Sequence, residues 1–129
     1  MANTITQRTL LGGGSERSII RLIHIVSDGS EETDLVVYDN STLVADVLKG
    51  NLMKVWLSGS DSVMRLEWDQ TTDSPAFAGN PSNGSFWDFT SFGGIGNPGD
   101  TGATGDLLLT TTGLDSGDEV FIIIHITQN

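Results

Sequence analysis

The chain has 129 residues, no cysteine, and 17 acidic against 6 basic side chains, for a formal net charge of −11. That length suits one domain around a single hydrophobic core, and the missing cysteines exclude a disulfide framework, a thiolate zinc site and a cysteine nucleophile. The acidic excess argues against nucleic-acid binding, which takes basic side chains that displace phosphate counterions; it fits solubility, or a partner with a basic face.

Residues 1–14 read as an N-terminal arm. Ile5 and Leu10 recur among threonines ahead of Gly12, Gly13 and Gly14, a flexible joint, so the arm is expected either to fray or to reach a neighbouring subunit. Met1 to Leu11 has neither the basic head nor the apolar stretch of a secretory leader. The apolar runs at 19–26 and 120–126 fall far short of the ~20 residues that span a bilayer, so no membrane partner is expected. Residues 15–129 read as a single β-sandwich domain.

Within it, residues 17–27 form a long strand that is apolar on both faces, and 34–38 form another. The polar link 28–33 predicts a hairpin between them. Residues 41–48 could form one or two helical turns capped by Ser41 or Thr42. Residues 52–57 and 62–68 read as two more strands, and the turn chemistry of Ser58, Gly59, Ser60 and Asp61 predicts a second hairpin. Met64, Leu66 and Trp68 share one face of the latter strand, with Arg65 and Glu67 on the other. A long loop region, about 69–105, is poor in clear strands and rich in Gly, Pro, Asn and Ser; such loops are usually functional or held by a partner. A strand at 107–112 and a turn at 113–117 lead to the last strand. There Val120, Ile122, Ile124 and Ile126 face one way and Phe121, Ile123, His125 and Thr127 the other. Short strands with frequent turns predict an all-β protein, an antiparallel, jelly-roll-like sandwich.

The long loop holds the most informative stretch. Phe86, Trp87, Phe89 and Phe92 run into glycines at 93, 96, 99, 102 and 105. Rings beside side-chain-free backbone suit a loop that anchors itself and then lies extended against another surface. The spacing of three resembles collagen, but covers few triplets and holds one proline, Pro98, so an ordered extended loop is expected. The alternative is bundling of this loop around a threefold axis. Of the tryptophans, Trp68 belongs in the core, and Trp56, sharing a face with Leu52 and Lys54, should be partly exposed. Trp87 is the candidate interface anchor. The candidate contact residues are therefore Ile5, Leu10, Trp56, Phe86, Trp87, Phe89 and Phe92.

Nothing in the chain reads as catalytic machinery. His24 and His125 sit in apolar strands outside any HExxH arrangement, and no GxSxG elbow, P-loop or GxGxxG cradle occurs. Acids gather at Asp28, Glu31, Glu32 and Asp34, and again at Asp115, Asp118 and Glu119, but neither group has the EF-hand spacing. No catalytic residue, metal or cofactor is expected.

From about Met53 onward the chain resembles a family of small virion proteins of tailed bacteriophages. The matching blocks are Leu66-Glu67-Trp68-Asp69-Gln70-Thr71-Thr72-Asp73, then Phe89 with Phe92-Gly93-Gly94, then Thr104-Gly105-Asp106-Leu107-Leu108-Leu109-Thr110-Thr111, with Gly113 and Gly117-Asp118 beyond. A looser match runs through Asp28-Gly29-Ser30 and the strand after it, while the stretch 96–102 around Pro98 departs from the pattern. The resemblance implies a jelly-roll-like decoration or cement protein on the outer surface of the phage head, made in the bacterial host cytoplasm. Its implied partners are the major capsid protein and copies of itself, as dimer or trimer. The alternative is a tail- or fibre-associated module that binds a host surface or its glycans, for which Trp56 and Trp87 would serve as sugar-stacking rings.

Overall fold

Alternating apolar side chains turn most of the described residues into strands. The computed structural model describes residues 3–11, 18–39, 50–82 and 84–128. The strands are β1 (Thr4–Leu11), β2 (Ser18–Asp28), β3 (Leu35–Tyr38), β4 (Gly50–Gly59), β5 (Val63–Trp68), β6 (Ser74–Gly79), β7 (Ser85–Asp88), β8 (Ile95–Gly96), β9 (Leu107–Thr112) and β10 (Ser116–Gln128), with one 3₁₀ turn at Thr90–Phe92. The helix expected at 41–48 and the joint at Gly12 to Gly14 lie outside the described residues.

All pairings are antiparallel, and the strands divide into two sheets. The first runs β1-β2-β10-β4-β7, with β8 also on β4; the second runs β3-β9-β5-β6. The chain is thus an antiparallel, jelly-roll-like β-sandwich. Ile19, Ile23, Ile25, Val55, Leu57, Val120, Ile122, Ile124 and Ile126 of the first sheet meet Tyr38, Met64, Leu66, Trp68, Leu107 and Leu109 of the second, all buried. The alternation read at 62–68 and 120–127 accounts for the inward residues of β5 and β10.

Both expected hairpins are corrected. β2 and β3 lie in different sheets, and so do β4 and β5, so each link crosses the core as an arch. The edges of β2 are occupied by β1 and β10, and those of β4 by β10 and β7. Longer pairing with β10 outcompetes the sequence-adjacent partner. Residues 69–105 are also more ordered than a loop, since β6, β7 and β8 lie within them. Residues 4–11, expected as a reaching arm, form β1, the edge strand on β2.

Two features close the sides of the sandwich. On the β1 side the Arg21 guanidinium points inward and donates to the Val37 carbonyl (3.2 Å), Thr9 Oγ1 (3.0 Å) and Gln7 Oε1 (2.8 Å), tying the first sheet to β3. Burial holds its pKa below the usual arginine value. Glu31 in the first arch accepts from the Gly113 amide (2.6 Å), the Leu114 amide (3.1 Å) and the Thr111 hydroxyl (2.9 Å). The acid cluster of that arch is thereby used to hold the β9–β10 arch.

Gly59 ends β4 with a positive φ of 129°, and a Cβ there would lie 2.2 Å from the Glu119 carbonyl oxygen. Gly117 also has positive φ (92°), but nothing lies within 4 Å of its Cβ position. Gly117→Ala is expected to cost about 1 kcal/mol of backbone strain, and Gly59→Ala at least about 2 kcal/mol more, since β10 must shift as well. Urea denaturation of the two variants measures the gap, and equal midpoints would contradict this account of the β4–β10 approach.

Candidate interaction surface

The outer face of the first sheet follows from the cross-strand register. One row reads Arg8, Leu22, Ile123, Trp56, Phe86 from β1 to β7. The row on one side reads Thr6, His24, Phe121, Ser58, and that on the other reads Leu11, Ile20, His125, Lys54, Asp88. Beyond Thr6 and His24 come Thr4, Val26 and Glu119. Trp56 stacks on Phe86 at 5.0 Å between ring centroids, and His24 stacks on Phe121 at 4.3 Å. Trp56, Ser58, Ser85, Phe121 and Ile123 line a shallow hollow of about 260 Å³ on this face.

A bulge decides where Trp56 points. His125 pairs with Lys54 but the next residue, Ile126, pairs with Leu52, so Met53 is the extra residue. Leu52 is consequently turned into the core, whereas Lys54 and Trp56 face out. The expected shared face of Trp56 with Lys54 stands, and that with Leu52 is corrected.

A second aromatic group lies where the edge strands β7 and β6 approach each other. Phe77 of β6 sits 6.1 Å from Trp87 and 5.9 Å from Phe89, and Phe89 sits 6.0 Å from Phe92. Trp87 is 50% exposed, Phe86 51% and Phe92 66%, whereas Phe89 packs against the core. Of the other sequence candidates, Leu10 is exposed on β1 and Ile5 packs inward against the core. The reading from sequence missed Phe121, Ile123, Leu22 and Ile20 as outer-face residues, and Phe77 as the ring on β6 that meets Trp87 and Phe89. Their signal was the apolar character of both faces of β2 and β10.

The glycine-rich stretch does not lie extended. Gly93, Gly99, Gly102 and Gly105 have positive φ, so the chain turns repeatedly and folds onto the link after β5. The Thr71 amide donates to the Thr101 carbonyl, the Thr104 amide to the Asp69 carbonyl and the Asp69 amide to the Asp106 carbonyl, at 3.0 to 3.2 Å. A Cβ on Gly102 would lie 2.2 Å from Thr71 Oγ1.

The titratable groups are dispersed. His24 and His125 share the outer face but sit in different rows; His24 Nε2 instead meets Glu119 Oε1 at 2.6 Å. His125 titrates below the usual histidine value, chiefly through burial and then through Lys54, with Asp88 pulling the other way. In the turn before β10, Asp118 accepts from the Asp115 amide. Asp34, Glu67 and Asp73, which no spacing in the sequence links, each bring a carboxylate oxygen within 4.8 Å of the others. Asp34 is exposed and Glu67 and Asp73 half-buried, and such surface carboxylates are commonly just hydrated.

The chain matches no known family model and no curated protein. Among solved structures it is similar to CBM29_1, a family 29 carbohydrate-binding module from Piromyces equi. The TM-score is 0.51 at 13% identity, over 96% of this chain and 91% of that one. At such identity the likeness shows a shared β-sandwich and no more. TmCBM61 in complex with beta-1,4-galactotriose has a TM-score of 0.37 at 13% identity, over 95% of this chain and 69% of that one. The N-terminal cellulose-binding domain of Cellulomonas fimi beta-1,4-glucanase C reaches 0.30 at 7% identity, over 100% and 80%. Both are too distant in shape to add to it.

Asp88 marks the corner between the two aromatic groups. Its Oδ1 accepts from the Thr90 amide at 2.9 Å. Hydrogen bonds from Thr90, side chain first and then backbone, hold its carboxyl below the ordinary aspartate value. With the folded pKa depressed, the corner's hydrogen bonds are intact above the unfolded value and are lost as pH falls through the folded one. An NMR pH titration is expected to place the Asp88 midpoint below that of a free aspartate, and Thr90→Ala to move it upward. An unmoved midpoint would mean that Thr90 does not hold this corner.

Proposed function

We propose that the chain is a structural, non-enzymatic protein of the phage head, which decorates the outer shell and bridges neighbouring major capsid protein subunits. The observation that carries this reading is the exposure of Trp87 and Phe92 together at the β7 edge of an acidic chain. Clustered exposed rings favour self-association and aggregation unless another surface covers them, and aromatic anchors are where protein contacts concentrate their energy. The family resemblance through the blocks at 66–73 and 104–111 supplies the setting. A shell repeats its binding site many times, so modest single contacts suffice where linked contacts raise the effective concentration. The excess of acids suits a receiving surface with basic groups.

Quantitative densitometry of purified particles is expected to show hundreds of copies, the order that icosahedral repetition requires. A handful per particle would defeat the cementing role. Trp87→Ala should weaken attachment to undecorated shells about tenfold or more while lowering the isolated fold's stability by no more than about 1.5 kcal/mol. Loss of the fold would instead assign Trp87 to the core and remove it from the contact surface.

A second reading is favoured by the Trp56–Phe86 stack beside Ser58, where flat rings adjoin a hydroxyl. Such a hollow suits a sugar, and the fold likeness is to a carbohydrate-binding module. On this reading the chain is a host-recognising module of the phage tail or fibre. Glycan-array binding by the isolated chain, abolished by Trp56→Ala, would favour it over cementing.

A further inference from the structure

The outer face of the first sheet is apolar at its centre. Ile20, Leu22 and Val26 make an aliphatic half on β2, Trp56 and Phe86 an aromatic half on β4 and β7, and Phe121 and Ile123 of β10 divide them. Among the described residues no strand of the second sheet lies on this face, since that sheet packs on the opposite side. The face is also nearly neutral. Arg8 and Lys54 stand against Asp28, Asp88 and Glu119, the last bonded to His24, while the chain as a whole carries −11. Most of the seventeen acids are therefore elsewhere.

We infer that two copies of this chain pack on each other through this face, about a two-fold axis running along β10. The inference rests on the reading of the chain as a contact protein and names itself as one of its partners. Strand order supplies the geometry, because β10 is the middle strand of β1-β2-β10-β4-β7. Rotation about it lays β2 of one copy over β4 of the other, and β1 over β7. In the central row Leu22 then meets Trp56, Arg8 meets the ring of Phe86, and Ile123 meets its own copy. The aliphatic half covers the aromatic half, and each Arg8 gains a cation–π contact. In the flanking rows Phe121 and His125 each meet their own copies. His125 is held below the usual histidine range, so at neutral pH the axis brings no like charges together.

Charge favours this face over the rest of the surface for joining a second copy. Two chains of this net charge repel unless they join where their acids are not, and this face meets that condition. Five strands by three to four rows span ~24 Å by ~20 Å at ordinary strand spacings. That is a flat footprint of ~480 Å², to which the relief of the rings adds, against the ~800 Å² per partner of a standard interface. Two sheets packed face to face, ~10 Å apart, bury such alternating side chains as they do inside a sandwich.

Sedimentation equilibrium of the purified full chain tests this directly. The wild type is expected at twice the 13.7 kDa chain mass. Ile123→Lys should raise the dimer dissociation constant about a hundredfold or more with an unchanged far-UV circular dichroism spectrum. Val63→Lys, on an exposed position of the second sheet, should remain dimeric. Because the chain has no cysteine, Ile123→Cys offers a single thiol, and a short bismaleimide should join two copies through it but not through Val63→Cys. A monomeric wild type, or a dimer indifferent to Ile123→Lys and uncrosslinked at Cys-substituted 123, overturns the inference. So does a monomer whose glycan binding is lost in Ile123→Lys, which would assign the face to sugar. A monomer that still decorates particles removes the dimer and leaves the head reading standing; a dimer absent from particles does the reverse.

Discussion

The arrangement depends on β10 being paired along both edges. Its thirteen residues join β2 on one side and β4 on the other, so its backbone is satisfied in both directions. One face supplies Val120, Ile122, Ile124 and Ile126 to the core, and the other places Phe121, Ile123 and His125 at the middle of the outer surface. A one-residue slip would exchange these sets and put a histidine in the core. Two bulges, between Ser116 and Glu119 and at Met53, adjust the ends of this pairing without disturbing its centre.

Because β10 takes the inner edges of β2 and β4, both of their successors must leave for the other sheet. The connections become arches, and arches need polar groups to hold their backbones. Glu31 does this for the β9–β10 arch, while the 93–106 stretch bonds to the link of the β5–β6 hairpin. The two main blocks that carry the family resemblance meet here: β5 pairs with β9, and residues 69–71 bond to 101–106. Their physical role is the closure of the second sheet.

Apolar surface remains in two separate places, the outer face around Ile123 and the edge with Trp87 and Phe92. The remainder of the chain carries the bulk of the acids. Under the proposed reading this separation is useful, since one surface can hold a second copy while the other rests on the shell. Asp88, bonded to Thr90, stands between them.

Alternation by itself determined the class of the fold and most of its core. Met64, Leu66 and Trp68, and every second residue from Val120, are buried as their two-residue period requires. The exposure of Phe86, Trp87 and Phe92 likewise follows from rings set among Gly, Ser and Asn. Alternation is blind to which strand lies beside which, so both hairpins were misread, and residues 4–11 became an edge strand instead of an arm. It is equally blind to a bulge, which at Met53 turned Leu52 inward and left Trp56 outside. The gathering of Ile20, Leu22, Trp56, Phe86, Phe121 and Ile123 on one face was decided by tertiary structure alone. Side-chain direction is a local property of a strand, whereas a surface is made by neighbours that the chain supplies from far apart.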